Sequence, residues 1–430
     1  MVTGIAATLE LEAKGYSVGL FEKEEFLGGK TVPYVDESGY SWNHHLLTPD
    51  YTYVNALRSR YDPSNTVVPF PISGRSLYTS GLAVFPLPQP SSDVQAELLG
   101  FLQFVSSAGP YSSYIYTPGR HDYDNIPPEL MVPFSQFMVV NGFPKAMAAL
   151  YGVITNYGYG YYDTTPAIYL LKYMSFLTLQ SVLASSFERY DYHLLLQKIG
   201  ETLQHVHLAH KVICTRYNYV KKRWQLKARL GKRSIKYQCG KLFMAFPQTL
   251  EALQKTMGSR EVTDAMEAVF SKVKLNDYHE VVVLNVDDKC PTFDLSQTYS
   301  QVFEGFTHIN GVPAIYVGHE NKGGVDALFL TDLDLDKTTV VNNTLGHLNA
   351  LTEAASGQAP SPSLSRNDVA YYKLHAYMPH VSTETMQEGF YASLDALQGT
   401  NGMYFIGGLL DFELVDSAMN SAKVIVDRFF

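Results

Sequence analysis

Residues 2–13, VTGIAATLELEA, are small residues followed by good helix formers, and they predict a helix. Gly15 stands where a helix commonly ends on a glycine. The apolar stretch 16–21 then reads as a short strand that runs into Glu22. Residues 192–203 carry the apolar spacing of an amphipathic helix. A strand over 206–216 follows, then a hairpin of 224–229 and 234–237 turning at Gly231 and Lys232, then a strand within 240–247. Near the carboxyl end, 403–406 reads as a strand entering Gly407 and Gly408. The next helix puts Val415, Ala418, Met419, Ala422, Ile425 and Val426 on one stripe. Between these segments, 94–107 and 167–188 predict helices, and 280–286, 298–308, 314–318 and 327–330 predict strands. A Ser/Pro-rich loop over 356–365 leads into 370–377, and Pro-rich stretches punctuate 69–90.

Helix, tight turn, strand and terminal acid make up the second half of a βαβ dinucleotide unit, in which the acid hydrogen-bonds a ribose hydroxyl. Glu22 follows Gly4 by 18 residues, the spacing from the third glycine of G-x-G-x-x-G to that acid. Counting back, the second glycine falls on Met1, and the first precedes it with the first strand. The expectation is an amino terminus cut short of the phosphate loop. An ordinary αβ hairpin with a surface glutamate reads the same residues equally well.

Composition narrows the classes. The chain has 430 residues, 46% hydrophobic and 17% charged, which excludes wholesale disorder and leaves room for two or three domains. The net charge is −9 and no basic stripe occurs, so a nucleic-acid partner is excluded. Three cysteines, Cys214, Cys239 and Cys290, have neither zinc spacing nor a disulfide framework. No leader pattern opens the chain, and the most membrane-like stretch, 167–187, contains Lys172 and Gln180. A cytoplasmic protein without a transmembrane segment is expected, and homo-oligomerisation is left open.

The 31 tyrosines are the compositional oddity. Four of them stand in Asn156-Tyr157-Gly158-Tyr159-Gly160-Tyr161-Tyr162-Asp163, which either lines an apolar cavity with hydroxyl tips or packs as a loop on the core. His205 and His207 share a strand face, but no acid or cysteine completes a metal set, so none is expected. His44 and His45, after Asn43, either face a cofactor ring or divide between surface and core. The pattern does not rank His308, His319, His347 and His375; His380 is set apart by its place before the final segment.

Residues 22–31, EKEEFLGGKT, resemble the E-K-x-x-x-x-G-G-[RK] stretch of FAD-dependent amine-oxidase-like oxidoreductases. The resemblance implies that Glu22 holds the adenosine ribose, that Gly28 and Gly29 let backbone approach the pyrophosphate, and that Lys30 adds charge there. The strand, glycines and helix of 402–430 resemble the segment that returns to the flavin end. Gly408 stands where many such proteins carry an acid on a ribityl hydroxyl, and Asp411 and Glu413 are displaced from it. Residues 192–247 resemble the family's helix, adenine-side strand and meander, with Val212 at the adenine contact. The implied cofactor is FAD, held by Gly4, Glu22, Gly28, Gly29, Lys30, Val212, Gly407 and Gly408. The implied fold class is α/β: a Rossmann-like FAD-binding domain of residues 1–57, 189–276 and 380–430, and a discontinuous α+β substrate domain of 58–188 and 277–379.

The Tyr/Gly stretch with Pro166, Ala167, Tyr169, Lys172 and Tyr173 resembles one branch of this family. So do Met378-Pro379-His380, Gly389-Phe390-Tyr391 and residues 407–413. That branch contains bacterial polyunsaturated fatty-acid double-bond isomerases and fungal natural-product flavoproteins. It implies hydride transfer from an apolar small molecule to flavin, as oxidation or as isomerisation. Tyr157, Tyr159, Tyr161, Lys172 and His380 are the catalytic candidates on the substrate side. The rival from another class is a cofactor-free or inactive binding protein on a degenerate scaffold. A third reading attributes the missing loop to the choice of start codon.

Overall fold

A computed structural model describes residues 2–42, 45–47, 51–65, 67–69, 74–116, 125–184, 188–258, 260–301, 311–331 and 333–430. Asn43, His44 and His308, and the side chain of His45, lie outside the described residues.

The first helix, Val2–Ala13, ends as its sequence predicts. Gly15 adopts φ +86°, and the Tyr16 N–H reaches back to the Leu11 carbonyl at 3.0 Å. Its small buried residues pack on the last helix, Val415–Phe429. Strand Gly19–Phe21 pairs in parallel with His205–His207, and Leu242–Met244 pairs in parallel with Met403–Phe405. Gly4 sits where both short sheets converge: a β-carbon there would stand 3.1 Å from Leu20 Cδ1 and 3.5 Å from the Ala245 methyl.

The strand expected over 206–216 is two strands, His205–His207 and Lys211–Asn218. Ala209 turns with φ +56°, and the Ala209 and His210 N–H groups donate to the Glu24 and Glu22 carbonyls at 2.7 and 2.8 Å. This turn fastens the end of the Gly19–Phe21 strand. Lys211–Asn218, Arg223–Leu230 and Arg233–Cys239 form the expected meander.

The largest sheet has seven strands, in the order Val369–His380, Lys274–Val283, Gly324–Thr331, Ile315–His319, Gln297–Gln301, Gly74–Tyr78 and Val84–Pro86. Strands from two distant stretches of chain therefore share one sheet. Helix Lys337–Ser356, absent from the pattern reading, covers it with Val340, Leu345, Leu348 and Leu351. The helix expected over 167–188 is broken into Ala167–Tyr173 and Phe176–Ala184. Ser175 makes the break, its hydroxyl accepting from the Thr178 N–H at 3.4 Å. Among the described residues no helix is long and apolar enough to cross a membrane.

His347 lies under this sheet, 2.8 Å from the Tyr316 hydroxyl, and burial pulls its pKa down to about 4. The unfolded chain therefore binds this proton first as pH falls. Stability should be full above about pH 6.5 and decline toward pH 4, by up to about 3 kcal/mol. Urea unfolding at several pH values checks this: His347→Phe should flatten that part of the profile, and an unchanged slope would refute the assignment.

Candidate active site and cofactor cavity

A cavity of about 1300 Å³ runs between the two short parallel sheets and on to the seven-stranded sheet. That exceeds the roughly 300–1,000 Å³ typical of a site for one drug-sized ligand. Gly4, Glu22, Gly28, Gly29, Lys30, Val212, Gly407 and Gly408 all line it. They come from five separate places in the chain, and the fold gathers them.

Each is placed by local structure. Glu22 closes the first strand and is 6% exposed, its Oε1 accepting the Glu24 N–H at 3.1 Å. Gly28 turns with φ +124°, and a β-carbon there would meet Val32, His193 and Thr31 side-chain atoms at 3.0–3.1 Å. Val212 begins the meander beside Lys211 and His210, which also face the cavity. The starts of two long helices end on the same cavity: Val2, Thr3 and Gly4 of the first, and Leu414 and Val415 of the last. Both present N–H groups and a positive dipole end there, which favours an anionic ligand.

Glu413 is displaced from Gly408 in sequence but not in space. The turn Gly408–Leu410 folds back so that a β-carbon on Gly408 would stand 2.5 Å from Glu413 Oε2. The carboxylate lines the cavity and pairs with Lys30, Nζ to Oε1 2.5 Å. Lys30 also stands 5.1 Å over the Tyr377 ring.

Of the catalytic candidates, Tyr157 and Tyr159 line the cavity, with Tyr173, Tyr278 and Tyr377. The Tyr159 ring lies 4.6 Å from Tyr173 and 5.0 Å from Phe412, and its hydroxyl accepts from Tyr377 at 3.2 Å. Burial holds the Tyr159, Tyr278 and Tyr377 hydroxyls well above the usual phenol range, so they act as neutral donors. Gly158 is needed between them: at φ +83° a β-carbon would sit 2.8 Å from the Tyr278 ring.

Tyr161, Lys172 and His380 are not among the lining residues. The Tyr161 carbonyl accepts from the Thr165 N–H at 2.9 Å. Lys172 is buried against Asp411 Oδ1 at 2.5 Å. His380 Nδ1 contacts the Met378 carbonyl at 2.7 Å, and burial lowers its pKa.

The structure adds four groups that pattern reading left unassigned: Glu280, His319, Asp326 and His375 all line the cavity. Asp326 is the lone acid of an otherwise apolar strand, a signal of buried function that the sequence carries openly, whereas Glu280 shares its strand with Asp277 and His279 and is less marked. Among the described residues no cluster of His, Cys, Asp and Glu is gathered for a metal ion.

This architecture is the FAD-dependent amine-oxidase-like fold. The solved structure of a fatty-acid isomerase from P. acnes, a producer of CLA, superposes with a TM-score of 0.81 at 18% identity, over 100% of this chain and 96% of that one. A putrescine oxidase superposes with a TM-score of 0.66 at 13% identity, over 99% and 96%. By sequence, the chain is similar to the FAD-dependent oxidoreductase dpchF of Colletotrichum higginsianum, 24% identical over 94% of this chain and 86% of the relative. It is likewise similar to the FAD-dependent oxidoreductase oblC of Cochliobolus heterostrophus, 23% identical over 94% and 84%. No family model matches the chain.

Proposed function

We propose that the chain is a flavoenzyme that binds FAD along this cavity and acts on a largely apolar small molecule, as an oxidoreductase or a double-bond isomerase. The observation that carries this reading is the convergence of eight motif residues and two helix starts on one cavity. The residues fit the cofactor. Buried Glu22 offers a carboxylate to a ribose, the Gly28–Gly29 backbone and the first helix start suit a pyrophosphate, and Val212 offers backbone groups at the adenine side. Glu413, folded over Gly408 and tied to Lys30, stands where an acid on the ribityl chain would serve. The names of the relatives, two oxidoreductases and an isomerase, agree with this range.

Bound FAD supplies a hydride acceptor. The chain's own residues supply position and dryness. Tyr157, Tyr159, Tyr173 and Phe412 offer flat apolar walls that orient a substrate and exclude water. Residues 1–57, 189–276 and 380–430 hold the cofactor in this reading, and 58–188 and 277–379 shape the substrate end. The three cysteines, all free, suit a reducing cytoplasm.

Competition between FAD and FMN tests it. FAD should bind at least about tenfold tighter, because only FAD engages Glu22 and Val212. Glu22→Gln should cost roughly ten- to a hundredfold in FAD affinity while leaving FMN affinity unchanged. Equal affinity for both flavins, or for neither, would overturn the reading.

A further inference from the structure

Four ionisable side chains that the flavin motifs do not involve gather where the seven-stranded sheet faces the cavity. Glu280 lies on Lys274–Val283 and Asp326 on the adjacent Gly324–Thr331. Asp326 pairs across with Val282 and Glu280 with Leu328, so the two carboxylates stand diagonally on one face. They are 5% and 6% exposed. His375 Nε2 lies 3.1 Å from Glu280 Oε2, and His319 Nε2 lies 3.0 Å from Asp326 Oδ2. With Nε2 donating to Asp326 Oδ2, His319 keeps Nδ1 to accept the Tyr40 hydroxyl at 2.9 Å. Asp326 Oδ1 is buried and has no hydrogen-bond partner among the described residues. An acid kept only for stability would have both oxygens satisfied.

We propose that Glu280 and Asp326, held by His375 and His319, form a seat for the protic head of a ligand: a hydroxyl or an amine on an apolar body. This deepens the flavoenzyme reading by naming the substrate class, and rests on it for the word substrate. Burial first, and Asp326 second, push Glu280 well above the usual carboxylate range. Glu280 thus presents a proton, and the buried, unpartnered Asp326 Oδ1 stands as the acceptor.

The neighbouring groups agree. Burial raises the Tyr278 and Tyr371 hydroxyls, so they stay neutral. Lys373, opposite Glu280 in register, also lines the cavity, and its charge lowers Glu280 by less than burial and Asp326 raise it. A hydroxyl donates to Asp326 Oδ1 and accepts from Glu280, and an ammonium donates to Asp326 Oδ1. A carboxylate head has no proton to give that oxygen and leaves it unpaired, so it binds more weakly. The tyrosine wall takes the apolar body.

Trp42 reports on this seat: it lines the cavity with its ring 4.7 Å from His319. The test is titration of the full chain, with and without FAD, by octan-1-ol, octylammonium and octanoate, read by Trp42 fluorescence. Octanol or octylammonium should bind at least tenfold tighter than octanoate, and whichever of the two is tighter identifies the head. Asp326→Asn should erase the preference for ammonium over octanoate. Glu280→Gln, which keeps a neutral donor, should leave octanol within about threefold. Thermal unfolding of each variant confirms that it is folded. Octanoate binding as tightly as the other two, no binding by either, or a folded Asp326→Asn with its preference intact would overturn the proposal. Flavin absorbance in the same samples reports separately on the flavoenzyme reading.

Discussion

Gly28→Val should lose FAD by more than tenfold and lower the thermal midpoint. Gly28 holds φ +124°, where an L side chain costs roughly 1–3 kcal/mol. The valine β-carbon would also press on Val32, His193 and Thr31 atoms only 3.0–3.1 Å away. The turn must open, and opening it moves Gly29 and Lys30 away from the cavity they line and pulls Lys30 off Glu413. Gly15→Ala is the matched control. It has φ +86° with no atom within 4 Å and lies off the cavity, so it should cost stability by about 1 kcal/mol and keep the flavin. Flavin absorbance after gel filtration, beside a melting curve, separates the two effects. A Gly28→Val protein that retains FAD like wild type would contradict the assignment.

Lys172→Met should be among the most destabilising single changes in the chain, by about 3–5 kcal/mol. The Lys172 and Asp411 side chains are 6% and 3% exposed and their charges are 2.5 Å apart. Removing the lysine leaves a buried carboxylate without its cation. Lys172→Met with Asp411→Leu should recover most of the loss, because an apolar pair fills the same space with no charge to desolvate. Urea denaturation of the two single variants and the double variant checks this. A single variant as stable as wild type, or a double variant no better than the single, would refute a structural pair. The same test bears on the sequence reading of Lys172 as a catalytic candidate, against which we propose a structural pair with Asp411.

What was legible in the sequence was local. The first helix, its stop at Gly15, the strand to Glu22, and the strand, glycines and helix at the carboxyl end follow from short-range propensity and spacing. Seven of the eight cofactor candidates lie in or beside these segments, Val212 lies in the strand expected over 206–216, and all eight line one cavity. What was not legible depends on turns and register. Glu413 reaches the space beside Gly408 only because the chain folds back over five residues. Glu280 and Asp326 are 46 residues apart, and only the strand register sets them on one face. The break at Ser175 follows from a side-chain cap inside an apolar run that looks continuously helical. The helix Lys337–Ser356 was marked by Asp336 at its cap and Gly357 at its stop, but Thr344 and Thr352 on its buried side broke the apolar stripe. Of the tyrosines, position in the fold rather than position in the motif separates Tyr157 and Tyr159, at the cavity, from Tyr161.

The central claim is that this chain holds FAD in the cavity lined by Glu22, Gly28, Lys30 and Glu413. The most direct measurement is the visible absorption spectrum of the full chain, incubated with FAD and freed of excess by gel filtration. The expected result is a flavin spectrum at about one FAD per chain and a thermal midpoint that rises with FAD concentration. A folded chain that elutes without flavin absorbance, with a midpoint indifferent to FAD, would contradict the account.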